Sequence, residues 1–177
     1  EPDLITFIIF GLDNDSSDLN KNTRSDIMMI VTLDTRTKSI RLASLLRDTL
    51  VTLPDGSINR LNTAYVAGGP QYALKAINET YALDIQKYVT INFASAADII
   101  DALGGVEVDV EKNVAAAMTP PIRSGKQTLN GQQAVMYARV RKVSGGDFGR
   151  TARQRKIMKA IVNGLSDASL DEALRLA

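Results

Sequence analysis

The feature that most narrows the fold is a strand-length run near the start of the chain with no polar alternation. Ile5-Thr6-Phe7-Ile8-Ile9-Phe10 is β-branched and aromatic, and Gly11 ends it. Such a run suits a central strand buried on both faces, as in domains where helices cover a sheet. The polar stretch from Asp13 to Arg24, rich in Asp, Asn and Ser, reads as a loop at the carboxyl end of that strand.

The rest of the chain alternates between strand and helix patterns. Ile27 to Leu33 and Ser39 to Leu46 are strand-like runs joined by Asp34-Thr35-Arg36-Thr37-Lys38, which predicts a hairpin. Pro54-Asp55-Gly56-Ser57 is a turn signal. Pro70 to Tyr81 has a helical apolar period with Pro in the first turn, where it is tolerated. Tyr88 to Asn92 reads as a strand, Ala94 to Leu103 as a helix stopped by Gly104-Gly105, and Val106 to Val110 as an alternating strand. Asn113 to Gln127 loses periodicity and reads as irregular. Asn130 is placed to cap a helix through Ala138, and Ile157, Ile161 and Leu165 belong to a long helix that Phe148-Gly149 leads into, before a last helix. Ser169 and Glu172 form a capping-box pattern. Together these predict an α/β fold: a three-layer α-β-α sandwich with a central mixed β-sheet, one domain over 1–177.

Composition matters most for what it excludes. The 177 residues contain no His and no Cys, so there is no imidazole base, no thiolate nucleophile and no zinc site of the usual kind. The net charge of +1 gives no global basic field for nucleic acid, so an anion site must be local. The longest apolar run, Leu4 to Leu12, is far below spanning length. The chain begins within two residues of a strand-like run and stops inside a helical pattern. It therefore reads as a piece of a longer protein, and the lack of an anchor within it says little about the parent.

What remains is arginine beside carboxylate: Arg24-Ser25-Asp26, Arg47-Asp48, Arg139-Val140-Arg141-Lys142 and Arg150-Thr151-Ala152-Arg153-Gln154. The guanidinium fork fits phosphate oxygens bidentately. Asp13, Asp15 and Asp26 flank the first loop and read either as Mg²⁺ ligands or as caps of a solvated turn. Arg47-Asp48, at the end of a buried-looking run, is either functional or a surface ion pair. Arg139 and Arg141 fall just past a helix and share a face if the chain is extended there. Arg150, Arg153 and Gln154 share one face near the N-terminus of the next helix, where an anion is favoured; a solvated basic face is the alternative. Asn62-Thr63-Ala64-Tyr65, before Gly68-Gly69-Pro70, reads as an ordinary turn into a helix.

The order of these motifs resembles the LytR-CpsA-Psr family. The resemblance rests on Gly11-Leu12-Asp13, Arg24-Ser25-Asp26, Arg47-Asp48-Thr49, Leu61-Asn62-Thr63-Ala64-Tyr65 and Asp101-Ala102-Leu103-Gly104-Gly105-Val106. It continues with Leu129-Asn130-Gly131-Gln132-Gln133-Ala134, Tyr137-Ala138-Arg139-Val140-Arg141-Lys142 and Asp147-Phe148-Gly149-Arg150 before Arg153-Gln154. It covers nearly the whole chain.

The resemblance implies an extracytoplasmic, membrane-anchored enzyme of mainly Gram-positive bacteria. Such an enzyme transfers a glycopolymer from a polyprenyl-pyrophosphate carrier onto peptidoglycan. The near-zero net charge and the lack of a basic recognition helix count separately against nucleic acid as a partner. The resemblance further implies Mg²⁺ (or Mn²⁺) on Asp13 and Asp26. Arg24, Arg47, Arg60, Arg139, Arg141, Arg150 and Gln154 would line the pyrophosphate, with Arg47, Asp48, Arg139 and Arg141 at the catalytic centre. A pyrophosphate hydrolase and a non-catalytic polyprenyl-phosphate binding regulator are the alternatives. Three positions depart from the family pattern. Asp15 stands where Arg is common, which either weakens the clamp or adds a metal ligand. Leu46 replaces the usual Pro, and Arg60 replaces the usual Lys.

Overall fold

The computed structural model describes residues 3–12, 23–141, 143 and 146–167. Asp13, Asp15, Lys142 and the Ser169/Glu172 capping pattern lie outside the described residues. The chain divides into two compact units, Glu1–Phe93 and Ala94–Ala177. Among the described residues no helix is long and apolar enough to cross a membrane.

The first unit is built on a mixed sheet. β1 (Leu4–Leu12) lies between β2 (Ser25–Asp34), antiparallel, and β6 (Lys87–Ile91), parallel, while β3 (Ser39–Leu45) extends the sheet beyond β2. The opening run is thus central, as its composition predicts, and its last five residues are buried. Ile8, Phe10 and Leu12 fall on one face by alternation. They pack with Met28, Leu61, Ala64, Tyr65, Ala73 and Ile77 in one apolar core. The Phe10 ring sits 5.3 Å from Tyr65 and 6.2 Å from Tyr88, both tilted, and truncating it to Ala would cost about 3–5 kcal/mol.

Two differences from the sequence reading arise here. β3 is only half-buried because it is the outer strand, so Arg47 follows an edge and not a buried run. The predicted helix at Pro70 is the second half of α1 (Thr63–Tyr81). Gly69, at φ 71, breaks α1 between the halves, and Pro70 restarts it. The Pro54 turn joins β4 (Leu50–Thr52) to β5 (Ile58–Arg60), and Asp55 Oδ1 accepts from Ser57 N at 3.0 Å and Ser57 Oγ at 2.7 Å.

The second unit contains α2 from Ala94 onward (the helix spans Phe93–Ala102), β7 (Val106–Val110), α3 (Lys112–Ala117), β8 (Gly125–Leu129), α4 (Gly131–Arg139) and α5 (Gly146–Asp167). β7 and β8 pair antiparallel, with Val106, Val108 and Val110 buried and Glu107 and Asp109 exposed. The stretch read as irregular therefore holds a short helix and a strand. β8 is polar, Gly-Lys-Gln-Thr-Leu, and takes its conformation from pairing with β7 more than from its own pattern.

Candidate functional site

The first cluster grows out of sheet register. β2 and β3 pair up to Met28 with Leu45, and continuing that antiparallel register brings residue 47 beside residue 26. The β1–β2 ladder shifts at this same end: Gly11 pairs with Ile27 and Leu12 with Ser25, leaving Asp26 as the extra residue of a bulge. Bulges redirect side chains beside functional sites. Ser25, fully buried, steadies this one by donating from Oγ to the Ile27 carbonyl at 2.7 Å.

The result is a chain of alternating charge. Arg47 Nη1 lies 2.9 Å from Asp26 Oδ2, and Arg47 Nε lies 3.4 Å from Asp48 Oδ2. Asp48 Oδ1 accepts from Arg60 Nη1 at 3.3 Å. Asp26 and Arg47 are 18% and 26% exposed, whereas Asp48 and Arg60 are about half open to solvent, so the row runs from sheltered to wet. The turn that carries Arg47 is gripped by main chain. Thr49 N donates to the Leu46 carbonyl at 3.1 Å, Leu61 N to Thr49 at 2.9 Å and Asn62 N to Arg47 at 3.0 Å. Leu61-Asn62, unremarkable as a turn, is the bracket that fixes the catalytic candidates, and only its place in the motif order pointed to it. Arg24 is exposed, immediately before β2.

The second cluster is set by α4. Asn130 and Gln133 form a reciprocal capping box at its start, with contacts of 2.9 and 3.1 Å. Asp101 Oδ1 accepts from Gly131 N at 2.7 Å, and a Cβ on Gly131 would stand 2.2 Å from the Ala97 carbonyl. The Asp101 and Asn130-Gly131 motifs are therefore structural: they seat α4 on α2. The helix ends with Arg139 as its last residue, not before it, and Val140 (φ −56, ψ 125) turns the chain extended. Arg139 and Arg141 are both exposed.

α5 faces this end of α4. Arg150 and Arg153 are each only 5% exposed and Gln154 is half-buried, so the anion-binding face expected near the helix N-terminus is largely an interior face. Arg153 Nη2 donates to the Val140 carbonyl. Lys156 lies on the same side of the helix. Its Nζ reaches Glu111 Oε1 at 2.9 Å and the Tyr137 hydroxyl at 3.3 Å, while Tyr137 donates to Glu111 Oε2 at 2.8 Å. Burial alone would raise the Glu111 pKa, but Lys156 and Tyr137 outweigh it and hold the carboxyl below its usual value. Burial, then the Glu111 contact, pushes the Tyr137 phenol well above its usual range. The sequence reading missed Glu111, Tyr137 and Lys156 as a group because they are far apart in the chain.

A carboxylate oxygen is the donor Mg²⁺ prefers, and Asp26 offers one on a sheltered side chain, so the described half of the expected Asp13/Asp26 pair fits such an ion. Among the described residues, no group of three or more acidic side chains stands ready to hold a metal alone. An ion here would complete its shell with substrate oxygens and water, as Mg²⁺ commonly does.

The LytR_cpsA_psr family model matches residues 1–171. The polyisoprenyl-teichoic acid–peptidoglycan teichoic acid transferase TagV of Bacillus subtilis is 35% identical over 172 residues, covering 92% of this chain and 44% of that protein. The corresponding TagU of Enterococcus faecalis is 35% identical over 158 residues, covering 88% of this chain and 52% of that protein. The chain thus spans about half the length of these relatives. Among solved structures, the family protein YwtF (TagT) with bound octaprenyl pyrophosphate lipid matches with TM-score 0.78 at 25% identity, covering 98% of this chain and 71% of that one.

Proposed function

Because the chain belongs to the LytR_cpsA_psr family, we propose that it is a phosphotransferase moving a glycopolymer from a polyprenyl-pyrophosphate carrier onto peptidoglycan. The observation that carries this reading is the Asp26–Arg47–Asp48–Arg60 row, an acid and arginine constellation built by sheet register in a chain without His or Cys. A similar protein solved with octaprenyl pyrophosphate supports the lipid class, and the transferase relatives support the reaction. The reaction would take place on the extracytoplasmic side of the membrane, where peptidoglycan lies.

The acceptor hydroxyl attacks the phosphorus next to the sugar. A new P–O bond forms, the bond to the bridging oxygen breaks, and polyprenyl phosphate leaves with that electron pair. The acceptor's proton passes to a carboxylate; Asp48, half-exposed and only loosely held by its two arginines, is available for it. Arg24, Arg47, Arg60, Arg139, Arg141 and Gln154 are the residues proposed to neutralise and orient phosphoryl oxygens, so no protein nucleophile is needed. Arg150 is buried in the interior of its own unit. Asp13 and Asp26 would hold Mg²⁺, which when bound neutralises charge on the phosphates.

The test is incubation of the purified chain with a lipid-linked glycan and peptidoglycan. The expected result is Mg²⁺-dependent attachment of the glycan with stoichiometric release of polyprenyl phosphate. Phosphate release without attachment would make the chain a hydrolase. Lipid binding with neither product would make it a binding regulator.

A further inference from the structure

We infer that Arg153 is a positioning residue, holding Arg139 and Arg141 in place through the main chain between them. Its guanidinium is 5% exposed and donates from Nη2 to the carbonyl of Val140, the one residue separating the two arginines. That carbonyl sits where α4 has just ended, and carbonyls at a helix end have no intrahelical donor. Left to solvent, this step could rotate and take both flanking side chains with it. Arg139 and Arg141 are exposed on either side of that carbonyl, so the main chain between them bears on where each guanidinium stands. One guanidinium N–H makes this contact, and the planar buried group is directed more rigidly than a flexible ammonium would be.

The rest of the α5 face acts in the same direction. Lys156, three residues beyond Arg153, reaches Glu111 and the Tyr137 hydroxyl, so α5 holds the last turn of α4 at two points, residues 137 and 140. Burying a cation against a neutral acceptor is a costly way to stabilise a helix contact. Ile157, one turn further along the same face and likewise buried, shows that an apolar side chain suits this side of the helix. What Arg153 supplies instead is a defined place for the Val140 carbonyl. Reacting groups displaced by about 1 Å lose roughly 10²-fold in rate, so that placement has kinetic weight. The inference rests on the phosphate role proposed for Arg139 and Arg141.

The experiment compares Arg153→Met, Arg153→Lys and a control, Arg155→Met, on the exposed side of α5. Two readouts are taken on the whole chain: amide hydrogen exchange over residues 139–141, and turnover of a polyprenyl-pyrophosphate-linked disaccharide. Arg153→Met is expected to speed exchange there and to lower kcat/KM about 100-fold. Arg153→Lys recovers part of both, and Arg155→Met changes neither. When Arg139 and Arg141 are already Ala, adding Arg153→Met changes turnover by no more than about twofold, the sign of coupled and not independent roles. Unchanged exchange in Arg153→Met overturns the inference, as does an equal loss of turnover in both backgrounds. Faster exchange with no turnover even in the unsubstituted chain upholds the clamp and overturns the pyrophosphate reading instead.

Discussion

The two arginine regions are held by opposite means. In the first unit the guanidiniums of Arg47 and Arg60 rest on carboxylates at 2.9–3.4 Å, partly in solvent, on a turn gripped from behind by Leu61 and Asn62. In the second unit the segment carrying the exposed Arg139 and Arg141 is held by buried Arg153 on the main chain and by half-exposed Lys156 and Glu111 on the neighbouring Tyr137 phenol. An arginine resting on carboxylate in partial solvent can exchange that partner for a phosphate at little cost. A buried arginine on a carbonyl cannot let go without freeing the segment it holds. The first region is therefore suited to exchanging its partners, and the second to keeping its exposed charges in place.

If that contrast is right, the largest effect comes from the fixed charges. Arg139→Ala should lower turnover on the order of 10³-fold, by analogy with transition-state arginines, while leaving the melting temperature unchanged because the side chain is exposed. A normal turnover number would remove Arg139 from the clamp. Arg47→Met should act differently. It strips the ion-pair partner from Asp26, the proposed Mg²⁺ ligand, and loss of such an outer partner typically costs roughly 10- to 100-fold in metal affinity. A Mg²⁺ titration of activity would show the midpoint moving up. If only the plateau falls, Arg47 serves the phosphate alone.

Tyr137→Phe tests the supporting network itself. It removes the hydroxyl that Glu111 accepts from, and should cost about 1–3 kcal/mol in denaturant unfolding. The pH dependence fixes the sign. Glu111 titrates lower in the folded chain than its ordinary 4.5, so its contribution is present above that value and fades as pH falls through the folded pKa. Tyr137 titrates higher than its ordinary 10.0, so its contribution is complete below that value and is lost as pH rises past it. The stability gap between the native chain and Tyr137→Phe should thus be widest at neutral pH and narrow toward both extremes. A gap flat from pH 3 to 11 would mean that the network does not hold α4.

What could be seen in advance follows the same division. The central strand, the hairpin of β2 and β3 and the capped start of α4 were legible because each is encoded by neighbours in sequence: an apolar run, a turn, an Asn-Gly-Gln-Gln box. The pairing of Asp26 with Arg47 was not, because it depends on a bulge one residue long and on the register of two strands. β8 was hidden by its polar composition, and the first half of α1 by its shortness before Gly68-Gly69, where the backbone does leave the helix as local preference dictates. Arg150 and Arg153 looked like a surface for anions, since helical spacing shows which residues share a face but not whether that face is turned inward.

The smallest expected effect is on the outer end of the first row. Arg60 meets Asp48 at 3.3 Å with both side chains about half-exposed, and pairs of that kind contribute between nothing and about 1 kcal/mol. Arg60→Gln should therefore leave unfolding within about 0.5 kcal/mol of the native chain. Its effect on function should be larger than its effect on stability. The guanidinium sits beside Asp48, and removing it leaves that carboxylate with Arg47 as its one ion-pair partner among the described residues. A raised KM for the lipid-linked donor with intact stability would place Arg60 in the adaptable set. An unfolding change above about 2 kcal/mol would instead mean that the first row is a structural brace like the second, and the contrast between the two regions would fail at its most exposed member.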